Sequence, residues 1–332
     1  MRRRNRRPHT GNGVTSQAAK PFRKLVLVKA CVTGGAGFIG SHIVRRLVAD
    51  GHDVTVIDNL LTGSLANLGT DVEAIRFVRM DLSTSNPDLP ETLRGADCVF
   101  HLAALPSVVG SVADPVGSHA HTGTATLVLL QAMAEAEVKR IVYSSSCAVY
   151  GDQDELPWRT DMRPRPTSPY AADKLAGEYH LEVFSRLYGM TAVALRYFNV
   201  YGPRQPANSP YAAVVPKFVE AVQQGRPPTV FGDGKQTRDF VNIADVVEAN
   251  MHASRLASGR AVLNVASGRQ TSVLDLLGLI KDIAPQAPAP HFEPARPGEV
   301  MHSVGEVAET ERVLGFKAAV SLEDGLRELL GA

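Results

Sequence analysis

Cysteine is scarce in this chain: Cys31, Cys98 and Cys147 are the only three among 332 residues. So few thiols, without metal-ligand spacing, exclude a disulfide framework and a cysteine-built zinc site, and they fit a reducing cytoplasm. No apolar run approaches the roughly 18 residues that a membrane span needs, so a membrane role is not expected. An excess of one charge is missing too. Lys plus Arg number 35 and Asp plus Glu 34, a net charge of +1, so nothing global points to nucleic acid or a lipid surface as partner. No fixed-period repeat appears, which argues against a solenoid. The basic opening, MRRRNRRPHTGNGVTSQAAK, has too little apolar surface to offset its ordering entropy and reads as a disordered extension over residues 1–22. Its arginines are not followed by the apolar region that an export signal requires.

What is present is an alternation. A β-branched run, KLVLVKACVT, leads through a glycine-rich turn into the helical spacing of SHIVRRLVADG, and DVTVID follows as the next strand. The same alternation continues through AIRFVRMD, ADCVFHLAA, the helix of TLVLLQAMAEAEV, RIVYSSS, a helix after Pro169, and TAVALRYFNVYG. Strands alternating with helices predict a doubly wound parallel α/β sheet. Beyond Asn199 proline and glycine increase, and short helices mix with loops. This texture predicts a nucleotide-binding domain over 23–199 plus 240–270, and a smaller, partly interleaved C-terminal substrate domain over 200–239 plus 271–332.

The turn TGGAGFIG sets Gly34, Gly37 and Gly40 between the first strand and its helix. Glycine there lets backbone amides approach a pyrophosphate resting on the helix N-terminus, the Rossmann arrangement for a dinucleotide. Asp58 ends the second strand. A carboxylate at that place accepts hydrogen bonds from the ribose hydroxyls of the adenosine and repels a 2′-phosphate, which favours NAD over NADP. Asp81 ends the third strand and is a candidate acceptor for the adenine amine.

SPYAADK, residues 168–174, starts a helix just after a serine-rich strand end. Tyr170 and Lys174 are four residues apart and share a helix face. A phenol of pKa near 10 is a poor base at neutral pH. An ammonium one turn away, together with the positive nicotinamide ring, is expected to favour the phenolate. Ser146 is placed to bridge Tyr170 and a substrate hydroxyl.

Together TGGAGFIG, HLAA, SSSCAVYG, YAADK, RYFNVYGP and RPGE resemble the extended short-chain dehydrogenase/reductase family. Within it the chain is most similar to the bacterial UDP-sugar 4-epimerases, with RYFNVYGPRQPANSPYAAVVPKF similar to those acting on UDP-N-acetylhexosamines. The resemblance implies an isomerase that passes through a transient 4-keto sugar, with Ser146, Tyr170 and Lys174 as its catalytic residues. It implies NAD contacts at Gly34, Gly37, Phe38, Ile39, Gly40, Asp58, Asn59, Asp81, Leu82, Leu102, Ala103, Ala104, Tyr170, Lys174 and Tyr197. It places the UDP-sugar at Ser146, Asn199, Val215, Thr229, Phe231, Arg238, Arg296, Glu299 and Ser303. The arginines suit a diphosphate because a planar fork pairs with its oxygens. Ser303 is small enough to leave room for a 2-acetamido group. The resemblance also implies a homodimer, paired through the helix around 120–137 and the Tyr–Lys helix.

The chain departs from the family in places. Asp173 stands where a small or hydroxyl residue is usual, and is expected to point away from Lys174 with little harm. Thr122 lies in AHTGTATL, where the family carries an asparagine in an NxxGT pattern. The acid pair of the related 4,6-dehydratases is replaced by Cys147 and Ala148, which argues against dehydration. A glucuronate epimerase or another nucleotide-sugar enzyme of this class is the nearest alternative, and a non-catalytic NAD-sensing protein a distant one. Cys147 reads as a packing residue, and His101 as a side chain packed near the cofactor without an acid–base role.

Overall fold

The computed structural model describes residues 29–207, 213–295 and 300–332. The basic tail lies outside the described residues, as do Arg296 and Glu299.

Buried β-branched runs become strands and amphipathic runs become the helices that cover them. The first half contains β1 (Lys29–Thr33), α1 (Phe38–Ala49), β2 (Asp53–Asp58), β3 (Ile75–Arg79), α2 (Leu89–Leu93), β4 (Cys98–His101), α3 (Val108–Ala113), α4 (Pro115–His119), α5 (Ala125–Glu135), β5 (Arg140–Ser146), α6 (Pro169–Tyr188) and β6 (Thr191–Tyr197). There follow β7 (Asn199–Tyr201), α7 (Val214–Gln223), β8 (Thr229–Phe231), β9 (Thr237–Arg238), β10 (Phe240–Asn242), α8 (Ile243–Ser254) and β11 (Arg260–Val265). The chain then forms β12 (Thr271–Ser272), α9 (Val273–Ile283), β13 (His291–Glu293), α10 (Ala308–Leu314) and α11 (Leu322–Leu330).

Seven strands pair in the order β11-β6-β5-β4-β1-β2-β3, and every pairing is parallel. The doubly wound sheet expected from the alternation is therefore present. Its order reverses at β1, which lies between β2 and β4. A reversal of this kind opens a crevice at the strands' carboxyl ends, where ligands bind in such sheets.

Two apolar layers cover the sheet. One contains Ile43, Leu47, Val246 and Leu314 from α1, α8 and α10. The other contains Leu93, Leu129, Met133 and Leu181 from α2, α5 and α6. A third cluster, with Phe218, Val230, Leu276 and Leu326, forms the smaller lobe. Leu314 and Phe316 pack into the sheet's own core, although the sequence division assigns residues 271–332 to the lobe.

Candidate active site

Six strand ends build the first cleft, an opening of about 700 Å³. Gly34, Gly37, Phe38, Ile39 and Gly40 line it after β1, Asp58 and Asn59 after β2, and Asp81 and Leu82 after β3. Leu102, Ala103, Ala104, Ser146, Tyr170 and Tyr197 complete the part foreseen from sequence. Gly34 has a φ of +68°, and a Cβ there would lie 2.7 Å from the Ala103 nitrogen. At Gly40 a Cβ would lie 2.1 Å from the Gly34 carbonyl oxygen. Only glycine permits this closeness of helix and strand, which leaves a backbone cradle at the start of α1. Asp58 organises the cradle: its carboxylate accepts from the Ala36 and Leu60 amides at 3.0 and 2.7 Å. Cradle and strand-end acid both fit a dinucleotide whose ribose carries free hydroxyls.

Ser168 caps α6, accepting from the Ala171 amide, and Pro169 occupies the first turn. The helix therefore starts in one fixed place, with Tyr170 and Lys174 on the face toward β5. Tyr170 and Ser146 line the same cleft, and the Ser146 hydroxyl acts on the phenol's ionisation. Lys174 is 2% exposed and donates to the Ser144 carbonyl at 2.6 Å. Its Nζ lies 5.8 Å from the centre of the Tyr170 ring. The three side chains converge as expected, but the expected acidification of the phenol is not seen in this arrangement. Burial pushes Tyr170 up to about 12, against the opposing effect of the Ser146 hydroxyl. Burial also pulls Lys174 down to about 7. Desolvation disfavours both charged forms and is the largest cause at each, ahead of the Asp173 charge that favours the ammonium of Lys174.

A buried network fixes this triad from below. Glu178, one turn beyond Lys174, accepts a bidentate pair from Arg196 at 2.9 and 2.7 Å. The Ser145 hydroxyl donates to the same carboxylate at 2.5 Å. One residue of β5 and one of β6 thus hold α6 in register. His101 is buried between Thr33 and Thr126. Burial, then the charge of Lys174, pull it down to about 3, so it is neutral and takes no acid–base part, as its sequence setting suggests. Burial pushes the Cys147 thiol up to about 12, which disfavours the thiolate that a nucleophile needs.

A second cavity, about 380 Å³, adjoins the first, and Val200 and Ala213 line both. Asn199, Val215, Thr229, Phe231 and Arg238 line it, all foreseen from sequence. Among the described residues the buried Asn199 Nδ2 has no hydrogen-bond partner, a donor that suits an acceptor-rich ligand. Val215 is also part of the lobe's core. Arg238 stands beside Asp239, whose carboxylate is taken by the amides of Ser267, Gly268 and Gly305 and by the Ser267 hydroxyl. The adjacent acid is thereby occupied. Ser303 is 4% exposed. It lines neither cavity as shaped here, and its buried hydroxyl has no partner among the described residues.

Two departures read differently in three dimensions. Counted back from Gly123, the family's asparagine place falls on Ala120 and not on Thr122. Asp173 is buried and accepts from His119 Nδ1 at 2.6 Å, so it has a structural partner and is not idle. Sequence reading also missed His121 and Gln205 in the first cleft and Lys217 and Gln236 in the second. Of these, His121 sits in a π-helical turn that no periodicity announces.

Comparison with known proteins agrees with this geometry. The model of the NAD dependent epimerase/dehydratase family matches residues 30–266. A UDP-glucose 4-epimerase of Mycolicibacterium smegmatis is 37% identical over 302 residues, covering 90% of this chain and 96% of that protein. The solved structure of a UDP-N-acetylglucosamine 4-epimerase from Methanobrevibacter ruminantium, in complex with UDP-N-acetylmuramic acid, superposes with a TM-score of 0.87 at 40% identity, over 91% of this chain and 97% of that one. A UDP-glucose 4-epimerase from Thermotoga maritima, solved with UDP-glucose, gives 0.86 at 37% identity, over 91% and 97%.

Proposed function

The chain belongs to the NAD dependent epimerase/dehydratase family, and we propose from that premise that it interconverts UDP-sugars epimeric at C4. UDP-N-acetylglucosamine and UDP-N-acetylgalactosamine are the first candidates, with UDP-glucose and UDP-galactose beside them. The observation that carries the reading is the meeting of Ser146 and Tyr170 in a dinucleotide-shaped cleft that adjoins a second cavity holding Asn199 and Arg238.

NAD, when bound in the glycine cradle, supplies reversible hydride acceptance at the sugar C4. The chain's own residues do the rest. Tyr170 takes the proton from the 4-hydroxyl and later returns one; it must be ionised for the first step, so the positive charge of a bound nicotinamide would have to offset the burial that raises its pKa here. Ser146 holds that hydroxyl and the phenol in line. Lys174 supplies positive charge from behind the tyrosine. Arg238 and Asn199 hold the diphosphate, and Arg296 and Glu299, outside the described residues, are assigned to the same end. With the diphosphate fixed, the oxidised sugar can turn about its phosphate linkage and offer its other face. Ser303, small and buried but outside both cavities, is assigned to the 2-acetamido side of the sugar by the family resemblance alone.

We place the enzyme in the cytoplasm, on its cysteine-poor composition. Among the described residues no helix is long and apolar enough to cross a membrane. We also propose a homodimer. Val112, Val116, Leu127, Tyr179, Val183 and Leu187 are exposed on α3 to α6, the helices through which the family resemblance implies pairing, and such apolar surface suits a partner.

The test is incubation with UDP-N-acetylglucosamine, UDP-glucose and UDP-glucuronate separately, with products resolved by NMR. Conversion of the first to its C4 epimer is expected. Turnover of UDP-glucuronate alone would move the assignment to a hexuronate epimerase.

A further inference from the structure

The helical run from Pro115 to Glu135 is interrupted by one π-helical turn, Ala120–Thr124. A π turn carries one extra residue, which swings the preceding side chains by about 100° relative to those that follow, and such turns concentrate at functional sites. The polar side chains around it are nearly all committed elsewhere. His119 bonds Asp173 on α6. Thr122 accepts from the Leu105 amide. Thr126 bonds the Thr122 carbonyl and His101. Gly123 is required between them, because a Cβ there would lie 2.7 Å from the His119 ring and 3.0 Å from Asp173. The turn is therefore tied down on its α6 side, and His121 is the side chain that it presents to the cleft.

There His121 Nδ1 stands 3.7 Å from Asp81 Oδ1. Asp81 is already held by the Ser83 amide at 2.7 Å and by Asn59 Nδ2 at 3.2 Å. Burial works against its ionisation, but the Ser83 and Asn59 hydrogen bonds and the charge of His121 keep it below the usual carboxylate range. Asp81 thus remains an acceptor, anchored by the strand-end loops and approached by a donor from a separate helix. At 3.7 Å the imidazole does not yet make a hydrogen bond; a small closure around a ligand would complete one.

We propose that His121 is a cofactor-positioning residue: the π turn aims it at Asp81 so that the carboxylate is held against the exocyclic amine of the adenine of NAD. The inference rests on the NAD reading and adds a residue to it. His121 acts through Asp81, and so its signature is discrimination at the amine rather than binding in general.

The test uses full-length protein incubated with equal NAD and nicotinamide hypoxanthine dinucleotide, in which an oxygen replaces the amine. After rapid desalting, the dinucleotides retained are released by acid and quantified. Wild type is expected to retain NAD preferentially. His121→Ala should narrow that preference about tenfold, with the KM for the sugar nucleotide unchanged. His121→Gln, which keeps a donor at similar reach, should restore part of it. An unchanged melting midpoint shows that the variant is folded. Where alanine lowers the midpoint, His121→Asn, polar but too short, serves with the same readout. Wild-type preference retained by the folded variants would overturn the inference and leave the NAD reading intact. Equal retention of both dinucleotides by wild type would overturn the inference alone. Wild type retaining neither would overturn the NAD reading and this inference with it.

Discussion

Lys174 lies one helical turn from Tyr170, yet its Nζ donates to the Ser144 carbonyl at 2.6 Å and stays 5.8 Å from the phenol ring's centre. The pair is placed for chemistry while the phenol is kept protonated by burial. It shares the cleft with Ser146, the residue that the proposed mechanism also directs to the sugar.

Tyr170→Phe should lower kcat by about 10²- to 10⁴-fold, the usual contribution of a positioned general base. Bound NAD should remain at the wild-type level. Dinucleotide content and turnover, measured on one preparation, check both halves. Normal turnover would remove Tyr170 from the chemistry.

Lys174 gives a stability signature with a definite sign. Its folded pKa, about 7, is below the ordinary value of 10.5. Between those values the unfolded chain binds the extra proton, so the stability of the cofactor-free protein gains from this group as pH rises from 7 to 10.5. Lys174→Met removes the buried charge. It should melt above wild type at pH 7, and the gap should shrink as pH approaches 10. Melting curves at pH 7, 8, 9 and 10 test this, and a gap independent of pH would contradict it.

Arg238→Ala should raise the KM for a UDP-sugar about 10- to 100-fold, the effect of losing a charge-assisted contact to a diphosphate. NAD content should not change, because Arg238 lines the second cavity and not the first. A defect in cofactor content instead of KM would reassign the residue.

The Glu178–Arg196 pair is almost fully buried, at 5% and 4% side-chain exposure. Removing one partner strands the other, and Glu178→Ala should cost about 3–5 kcal/mol in urea unfolding. The double variant Glu178→Leu with Arg196→Met should recover much of that loss while activity stays low, since α6 loses its register with β5. Full activity in the double variant would show that the pair does not position the triad.

The proposed dimer predicts a mass twice that of the chain in sedimentation at micromolar concentration. Leu187→Glu together with Val183→Glu, on one exposed face of α6, should shift it to monomer. A wild-type monomer would remove the pairing.

Much of this was legible in the order of residues. Strand–glycine turn–helix at 29–49 is a local pattern with one structural solution, so Gly34 and Gly40 could be placed without coordinates. Spacing of four put Tyr170 and Lys174 on one face, and the strand before them delivered Ser146. The protonation of that pair was not legible. The charge attraction is visible in sequence, whereas desolvation depends on how completely β5 and α6 enclose it. Asp173 looked harmless for a similar reason, because its partner His119 lies on another helix. His121 was hidden by the π turn: standard helical periodicity misplaces the side chains beside the extra residue.

Asp239 gathers the amides of three positions remote in sequence, at 267, 268 and 305, beside the arginine assigned to the diphosphate. Anyone wishing to retrain this scaffold for a different sugar should therefore leave that knot untouched. Diversity belongs in the walls that face the carbohydrate; altering the knot would loosen the strand that carries the proposed diphosphate handle, whatever hexose the substrate bears.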